Sequence, residues 1–460
     1  MSQQKRLPLF SDVTTRDTSL DKDSRLINGF VERKKGQEDG MFNVFKRPCL
    51  LANVTVATNT AGQGVYNWLN DIYSIFGGNL YKNSVLVGAV DATGGVYTFS
   101  QCLGATPKLF FHNGVEAYTY DAGAGLVNVT DADFPAASCK GSAYLDGTIY
   151  VLTPTAAIQG SGINDPQSWD ALNSLIAQIE PDKGVFLAKQ LVYIIAFKGW
   201  STEVFYDKAN AVGSPLGTVQ GAKINYGCRA QGSVQDVHSA LFWVSQTRDG
   251  AVGVMKLEGL KGQSIATPAI ERVLETATYT TTHSWSMHIS GHKFYGLTLV
   301  ESNITLVYDI AENVWYQWTD TSGNYWPIVD TTFDSSQRVI AQHATNGKLY
   351  YVDSNTYRDD GALISWELYT PNWDAETKVG KYANRLALIG DKTPGSTVDC
   401  RVSDDDYETW SAYRTFDLSQ KLPFLQDWAS FTRRAHHFRH RANTALRLQA
   451  AEMTLELGAL

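Results

Sequence analysis

The chain has 460 residues, more than one ordinary core accommodates, so two or three domains are expected. Its 39 Lys and Arg against 47 Asp and Glu give a net charge of −8. That speaks against a reader of nucleic-acid sequence, which needs a basic face to neutralise phosphate, but not against a wall past which DNA slides.

From the N-terminus, Met1 to Asp12 is polar and basic, and no apolar run follows that could serve as a signal peptide. No segment approaches the length needed to span a membrane, so synthesis in a cytoplasm and a soluble product are expected. Residues 1–50 read as an N-terminal arm, with Arg33 to Asp39 as a loop or an extension laid on another surface. Residues 51–355 carry a recurring strand-turn-strand unit. Its turns are Gly77-Gly78-Asn79, His112-Asn113-Gly114, Asp146-Gly147, Lys198-Gly199, Asp249-Gly250, Ser290-Gly291 and Asn346-Gly347. Asn-Gly and Asp-Gly tolerate the positive φ of a tight hairpin, and the aromatic and β-branched residues that follow suit half-buried strands. Successive turn glycines lie roughly 33 to 56 residues apart, near the one-blade spacing of a β-propeller.

Two segments interrupt this pattern. Asn164 to Ile179 carries Trp169, Leu172, Ile176 and Ile179 at near-helical spacing and predicts a helix. Thr267 caps a second, short helix with Pro268 at its first position and Ile270, Val273 and Leu274 on one face. Both are expected on connections between blades. Further on, Ile304, Leu306 and Tyr308 share one face of a strand that turns at Glu312-Asn313 into Val314 to Trp318, an outer propeller hairpin. From 356 to 460 the blade-like turns disappear. Leu386 to Ile389, Val398 to Val402, Phe438 to His440, Leu446 to Leu448 and Met453 to Leu457 predict a small sandwich or barrel. The fold class is therefore all-β, a β-propeller with an added β-sandwich or barrel platform domain.

Motifs for chemistry are wanting. The chain lacks G-x-x-x-x-G-K-[ST] and H-E-x-x-H. The five cysteines, Cys49, Cys102, Cys139, Cys228 and Cys400, have no C-x-x-C spacing and read as small buried hydrophobes. No catalytic residue, cofactor or metal site is nominated, and an enzyme is not expected. Arg433 to Arg441 forms a basic strand, with His436 and His440 on one face and His437, Arg439 and Arg441 on the other. Neighbouring arginines repel a metal cation, so Arg433, Arg434, Arg439 and Arg441 are instead candidate contacts to another subunit or an adaptor. Ser403 to Trp410 resembles the Asp-box turn of sialidases, S-x-D-x-G-x-T-W, with Tyr407 where glycine belongs; there the box is a structural turn. Trp315, Trp318 and Trp326 are expected to pack between blades; were they exposed, they could line a glycan site.

Four stretches, in this order, resemble the tail hub (nozzle) proteins of short-tailed phages, also called packaged-DNA stabilisation proteins. They are Leu7 to Phe10 with Ser24 to Glu32 and Arg47-Pro48; Asn164 to Leu172 with Gly199 to Tyr206; Gly221 to Cys228 through Leu241 to Val244 to Ile265–Glu271; and Ser403 to Trp410 with the strands after it. The sequence departs from that pattern at Pro48-Cys49 and Asp406-Tyr407, where glycines are usual. The resemblance implies a homohexameric ring below portal and adaptor, a propeller in each subunit, and a platform domain built from both chain ends. It implies a structural virion protein of the tail, made in the host cytoplasm, that extends the DNA channel, retains packaged DNA and supports fibres, spikes or a needle. DNA would pass without sequence-specific binding. The alternative is a glycan-binding or glycan-hydrolysing propeller of a phage tail.

Overall fold

In a computed structural model, residues 2–10, 24–33, 42–135, 137–210 and 212–458 are described. Of the stretch Arg33 to Asp39, only Arg33 lies within them. Among the described residues the strand pairings give seven consecutive antiparallel blades. Their innermost strands are Gly62–Trp68, Thr98–Cys102, Ser142–Leu145, Gly184–Gln190, the pair Gly227–Cys228 and Gln235–Val237, Thr282–Ile289, and Ile328–Phe333. Each of the seven turns singled out in the sequence falls in a different blade. Most adopt the left-handed backbone their residues tolerate: Asp146 and Gly147 have φ of 47° and 90°, Ser290 and Gly291 52° and 84°.

Seven separate apolar clusters fill the seven junctions between neighbouring blades. Trp68, Tyr73 and Leu80 of blade one meet Leu109, Phe111 and Tyr118 of blade two, for example. The helix Pro268–Thr276 forms as expected, with the Thr267 side chain accepting from the Ile270 amide. It buries Ile270 and Leu274 in the junction of blades five and six. The hairpin of Ile304–Asp309 and Val314–Gln317 is the outer half of blade six, and Ile304, Leu306 and Tyr308 share its cluster.

The ring closes on a strand from the N-terminal side. Cys49–Thr55 pairs antiparallel with Lys348–Asp353 as the outer strand of blade seven. Blade seven then meets blade one, where Gly64 and Val65 donate backbone N–H to Gln342 and Asp330. Gly347, at φ 72°, takes the amides of Val56 and Ala57 on its carbonyl, and a Cβ there would lie 1.3 Å from the Ala57 oxygen. Only glycine fits this latch.

The chain ends build a platform sandwich. Ser2–Leu7, Gly29–Arg33 and Phe42–Lys46 join Lys381–Gly390, Phe424–Gln426, Ser430–Phe431 and Arg447–Leu457 in one sheet. Arg25–Ile27, Trp366–Tyr369, Ala435–His440, Thr397–Ser403 and Arg414–Asp417 extend the outer edge of blade six as the other. The two sheets share one core, and that core is continuous with the junction of blades six and seven. Leu26, Leu386, Phe438 and Met453 of the platform belong to it together with Trp285, Trp318 and Trp326. All five cysteines are buried.

One expectation is corrected. Asp165–Ile176 is a strand, not a helix, and forms the outer edge of blade three against Ala157–Gly162. Ser161 pairs with Trp169 but Gln159 with Ser174, so extra residues bulge between the two pairs. That bulge breaks the period of two and leaves apolar residues at helix-like intervals. Trp169 is buried against Phe110 and Phe134, whereas Leu172 and Ile176 are 75% and 54% exposed.

A buried ion pair fastens platform to propeller. Arg47 is fully buried; its Nη1 and Nη2 donate to Asp359 at 3.2 and 2.5 Å and to the carbonyls of Pro48 and Thr319, and its Nε to Asn28. Burial opposes the charge, but Asp359 beside it raises the Arg47 pKa above its ordinary value. Replacing Arg47 by Met strands the Asp359 carboxylate and should cost about 3–5 kcal/mol in urea unfolding; Arg47→Met with Asp359→Leu should recover much of that loss.

Asp330, at the closing junction, accepts from the amides of Val65 and Thr331. Burial, against the pull of these two amides, pushes its carboxyl up to about 7. Its contribution is therefore full below the ordinary carboxylate pKa and is lost as pH rises through about 7. Between pH 5 and 8 the thermal midpoint of Asp330→Asn should fall less steeply than that of the parent.

Candidate functional site

The basic strand lies at the centre of a platform sheet. Ala435–His440 pairs with Trp366–Tyr369 on one side and Thr397–Ser403 on the other. Alternation sends His436, Phe438 and His440 into the sandwich and His437 and Arg439 to its outer face. Burial, and then the Arg434 charge for His436 and Lys46 for His440, lowers both imidazoles to about 3, so they are neutral. His440 Nε2 lies 2.9 Å from the Ser396 hydroxyl.

His437 is also buried, and burial lowers its pKa against the pull of Glu367. It stacks on Tyr369 at 3.9 Å, with Nε2 3.0 Å from Glu367 and Nδ1 2.9 Å from the Arg401 Nε. Since Arg401 can only donate, Nδ1 accepts and the proton sits on Nε2. Burial opposes the Glu367 charge, yet hydrogen bonds from His437, Ser365 and Tyr369 draw its carboxyl down to about 2.

The four arginines nominated from sequence have different surroundings. Arg434 is buried, binds Asp404 through two donors at 2.6 and 2.7 Å, and gives a third hydrogen bond to the Trp428 carbonyl. Arg433 pairs with Asp406. Arg439 pairs with Asp399 at 3.0 Å and lies 3.8 Å over the Tyr413 ring. Arg441 is exposed and has no acidic partner among the described residues.

Arg433 and Arg434 of the basic run are thus paired with Asp406 and Asp404 of the acidic run. Sequence reading treated them separately because about thirty residues intervene. The available signal was strand order: Ser403, at the start of the acidic run, pairs directly with Ala435. Within the turn, Asp405 accepts from the Thr409 amide and hydroxyl and from Ser403, and these bonds, Thr409 first, hold its carboxyl at about 2. Tyr407 takes the left-handed conformation, φ 67°, in glycine's place. Its buried hydroxyl donates to the Thr370 carbonyl at 2.8 Å, which offsets the strain of a side chain there. The box is a structural turn.

The outer face carries stacked guanidinium groups. Arg25 lies 3.8 Å over Tyr369, and Arg401 5.0 and 4.7 Å from the Trp410 and Tyr413 rings. Stacking holds these cations flat while the edges of their forks can still meet a carboxylate. Among the described residues no group of three or more His, Cys, Asp or Glu is placed to hold a metal. Trp315, Trp318 and Trp326 are buried, at 5%, 0% and 0% exposure, so they form no sugar-stacking surface. Trp318 donates Nε1–H to the Gly29 carbonyl and Trp315 to that of Ile265.

The comparisons with known proteins divide sharply. No curated protein matches the chain. Solved structures with a similar course include a catalytically inactive virginiamycin B lyase from Staphylococcus aureus with quinupristin, at 8% identity and TM-score 0.44, covering 66% of this chain and 98% of that one. The extracellular domain of a hybrid two-component system from B. thetaiotaomicron aligns at 10% identity and TM-score 0.43, covering 69% and 41%. The computationally designed Ika8 protein aligns at 11% and 0.37, covering 67% and 99%. At such values none of these bears on what the chain does. A family model described as "Bacteriophage P22 Gp10, beta-propeller" matches residues 11–357. That span covers most of the chain and every strand of the propeller, and the chain belongs to this family of bacteriophage structural proteins.

Proposed function

We propose that copies of this chain form the tail hub, or nozzle, of a short-tailed phage, a ring that continues the DNA channel below portal and adaptor. In this role it retains packaged DNA until infection and supports fibres, spikes or a needle. The family match over residues 11–357 carries the reading. The shared core of platform and propeller supports it, because a part that bears load between neighbours benefits from being one rigid body. The net charge of −8 suits a wall that does not hold phosphate. Domain limits of 1–50, 51–355 and 356–460, with the arm counted into the platform, belong to the same proposal, as do a homohexamer and residence in the virion tail.

The platform face with Arg401, Arg439 and Arg441 is the proposed contact to an adaptor or a second copy. Arg439 is already occupied by Asp399, which leaves Arg441 as the informative position.

Negative-stain images of the purified protein, or of particles with and without it, test the assembly: a sixfold ring with a bore is expected, and a population of monomers alone would exclude it. Arg441→Glu should lower attachment to hub-less particles by about tenfold while Arg441→Lys keeps it. Normal attachment of the Glu variant would remove this face from the contact.

A further inference from the structure

Where blade three hands over to blade four, the chain buries one lysine against two acids. Lys198 ends the second strand of blade four, Tyr193–Lys198, and Glu203 lies on the third, Thr202–Asp207. Asp182 lies on the connection from blade three, between Asp165–Ile176 and Gly184–Gln190. Lys198 Nζ stands 2.9 Å from Asp182 Oδ1 and 2.6 Å from Glu203 Oε1. It also donates to the carbonyls of Ala177 at 3.2 Å and Glu180 at 2.6 Å, which fix its position. The three side chains are at most 1% exposed.

Each acid has a further feature that an ion pair does not require. Asp182 Oδ2 accepts from the backbone N–H of Trp200 at 2.8 Å and of Ser201 at 2.9 Å. The Ser201 hydroxyl lies 2.9 Å from Oδ1 and 3.2 Å from Oδ2. Two amides converging on one carboxyl oxygen are the arrangement of an oxyanion hole. Glu203 Oε1 accepts from the amides of Ile179 and Glu180, at 3.0 and 3.4 Å. Its Oε2 is buried and has no hydrogen-bond partner among the described residues. Buried oxygens left in that state are rare, and this one offers a vacant place for a proton beside the lysine.

We propose that Lys198 and Asp182 join in an intramolecular isopeptide bond, with Glu203 as the proton carrier. Glu203 takes one proton from the Lys198 ammonium, and the freed lone pair bonds Nζ to Asp182 Cγ. A carboxylate spreads its charge over two oxygens, whereas the tetrahedral adduct concentrates charge on Oδ2. The Trp200 and Ser201 amides already point there, so they favour the adduct over the starting pair. Nζ then gives up a second proton, Glu203 delivers both to Oδ1, and the Cγ–Oδ1 bond breaks. An ammonium and a carboxylate become one amide and one water; Glu203 ends as it began, and nothing is oxidised or reduced. Fixed contact supplies the effective concentration, and burial keeps out the water that hydrates exposed pairs. The bond staples the connection between blades three and four to blade four within one chain, so it does not depend on the ring proposed above.

The test is the intact mass of the purified, folded full chain, measured after denaturation. It should fall below the mass of the sequence by one water. A tryptic digest should contain a branched peptide joining the segment with Asp182 to one left uncleaved at Lys198. Lys198→Met should restore the full mass, and so should Glu203→Gln, which keeps the size of the side chain but cannot carry the proton. A wild-type chain at full mass, a lost water that maps to other residues, or complete linkage in Glu203→Gln overturns the proposal. The wild-type mass decides the matter even if neither variant folds.

Discussion

The buried pair of Arg47 and Asp359 stands at both passages of the chain between platform and propeller. Arg47 follows the platform strand Phe42–Lys46 and precedes the strand Cys49–Thr55 that closes blade seven. Asp359 follows the last propeller strand, Lys348–Asp353, and precedes the return into the platform at Trp366–Tyr369. Asp359 also accepts from the Leu50 amide, so the carboxylate holds the closing strand directly. Asn28, itself at φ 55°, presents its Oδ1 to Arg47 and to the Thr319 amide, and its Nδ2 to Thr319 and the Ser365 carbonyl. A buried charge pair adds little net stability over an apolar one of equal shape. What it adds is register, because a guanidinium with every donor engaged tolerates no slip of the segments around it.

That constraint explains how a propeller and a sandwich become one body. The junctions elsewhere in the ring, such as Phe186 and Trp243 between blades four and five, are closed clusters with their own members. The junction of blades six and seven is different. Its tryptophans, Trp285, Trp318 and Trp326, pack with ring centres 4.9 to 5.5 Å apart and belong to the core that also fills the platform. Blade six adds backbone continuity, since Ile27 pairs in parallel with Gln317 on its outer strand. A hinge between platform and propeller would have to open an apolar core, a sheet and a buried ion pair together.

Local features were legible in the sequence and non-local ones were not. Turn chemistry marked one hairpin in every blade, since the φ preference of Asn, Asp and Gly acts within two residues. The Thr267-Pro268 cap and the 304–318 hairpin were likewise local. The edge strand Asp165–Ile176 was misread because a bulge imitates helical spacing, and no apolar period alone separates the two. The pairing of Asp404 and Asp406 with Arg434 and Arg433 is set by the order of strands in the platform sheet, which side-chain patterns do not encode. Arg47 gave no signal beyond its place before Pro48, because its role depends on segments hundreds of residues apart.

The distribution of cations shows what the fold does with charge. Lys198 is sealed between Asp182 and Glu203 at 2.9 and 2.6 Å, Arg434 between Asp404 and the Trp428 carbonyl, and Arg47 beside Asp359. Others are flattened on rings, as Arg338 is on Tyr351 at 4.0 Å and Arg385 on Phe424 at 4.1 Å. A cation so engaged offers little to passing phosphate, because release of the existing partner opposes each new contact. For a wall beside moving DNA, as proposed, internal pairing therefore achieves low friction without removing arginine from the sequence. The same reasoning gives meaning to the cations left unpaired. Where no acid stands opposite Arg441 among the described residues, the counter-charge is best supplied by the partner proposed for that face.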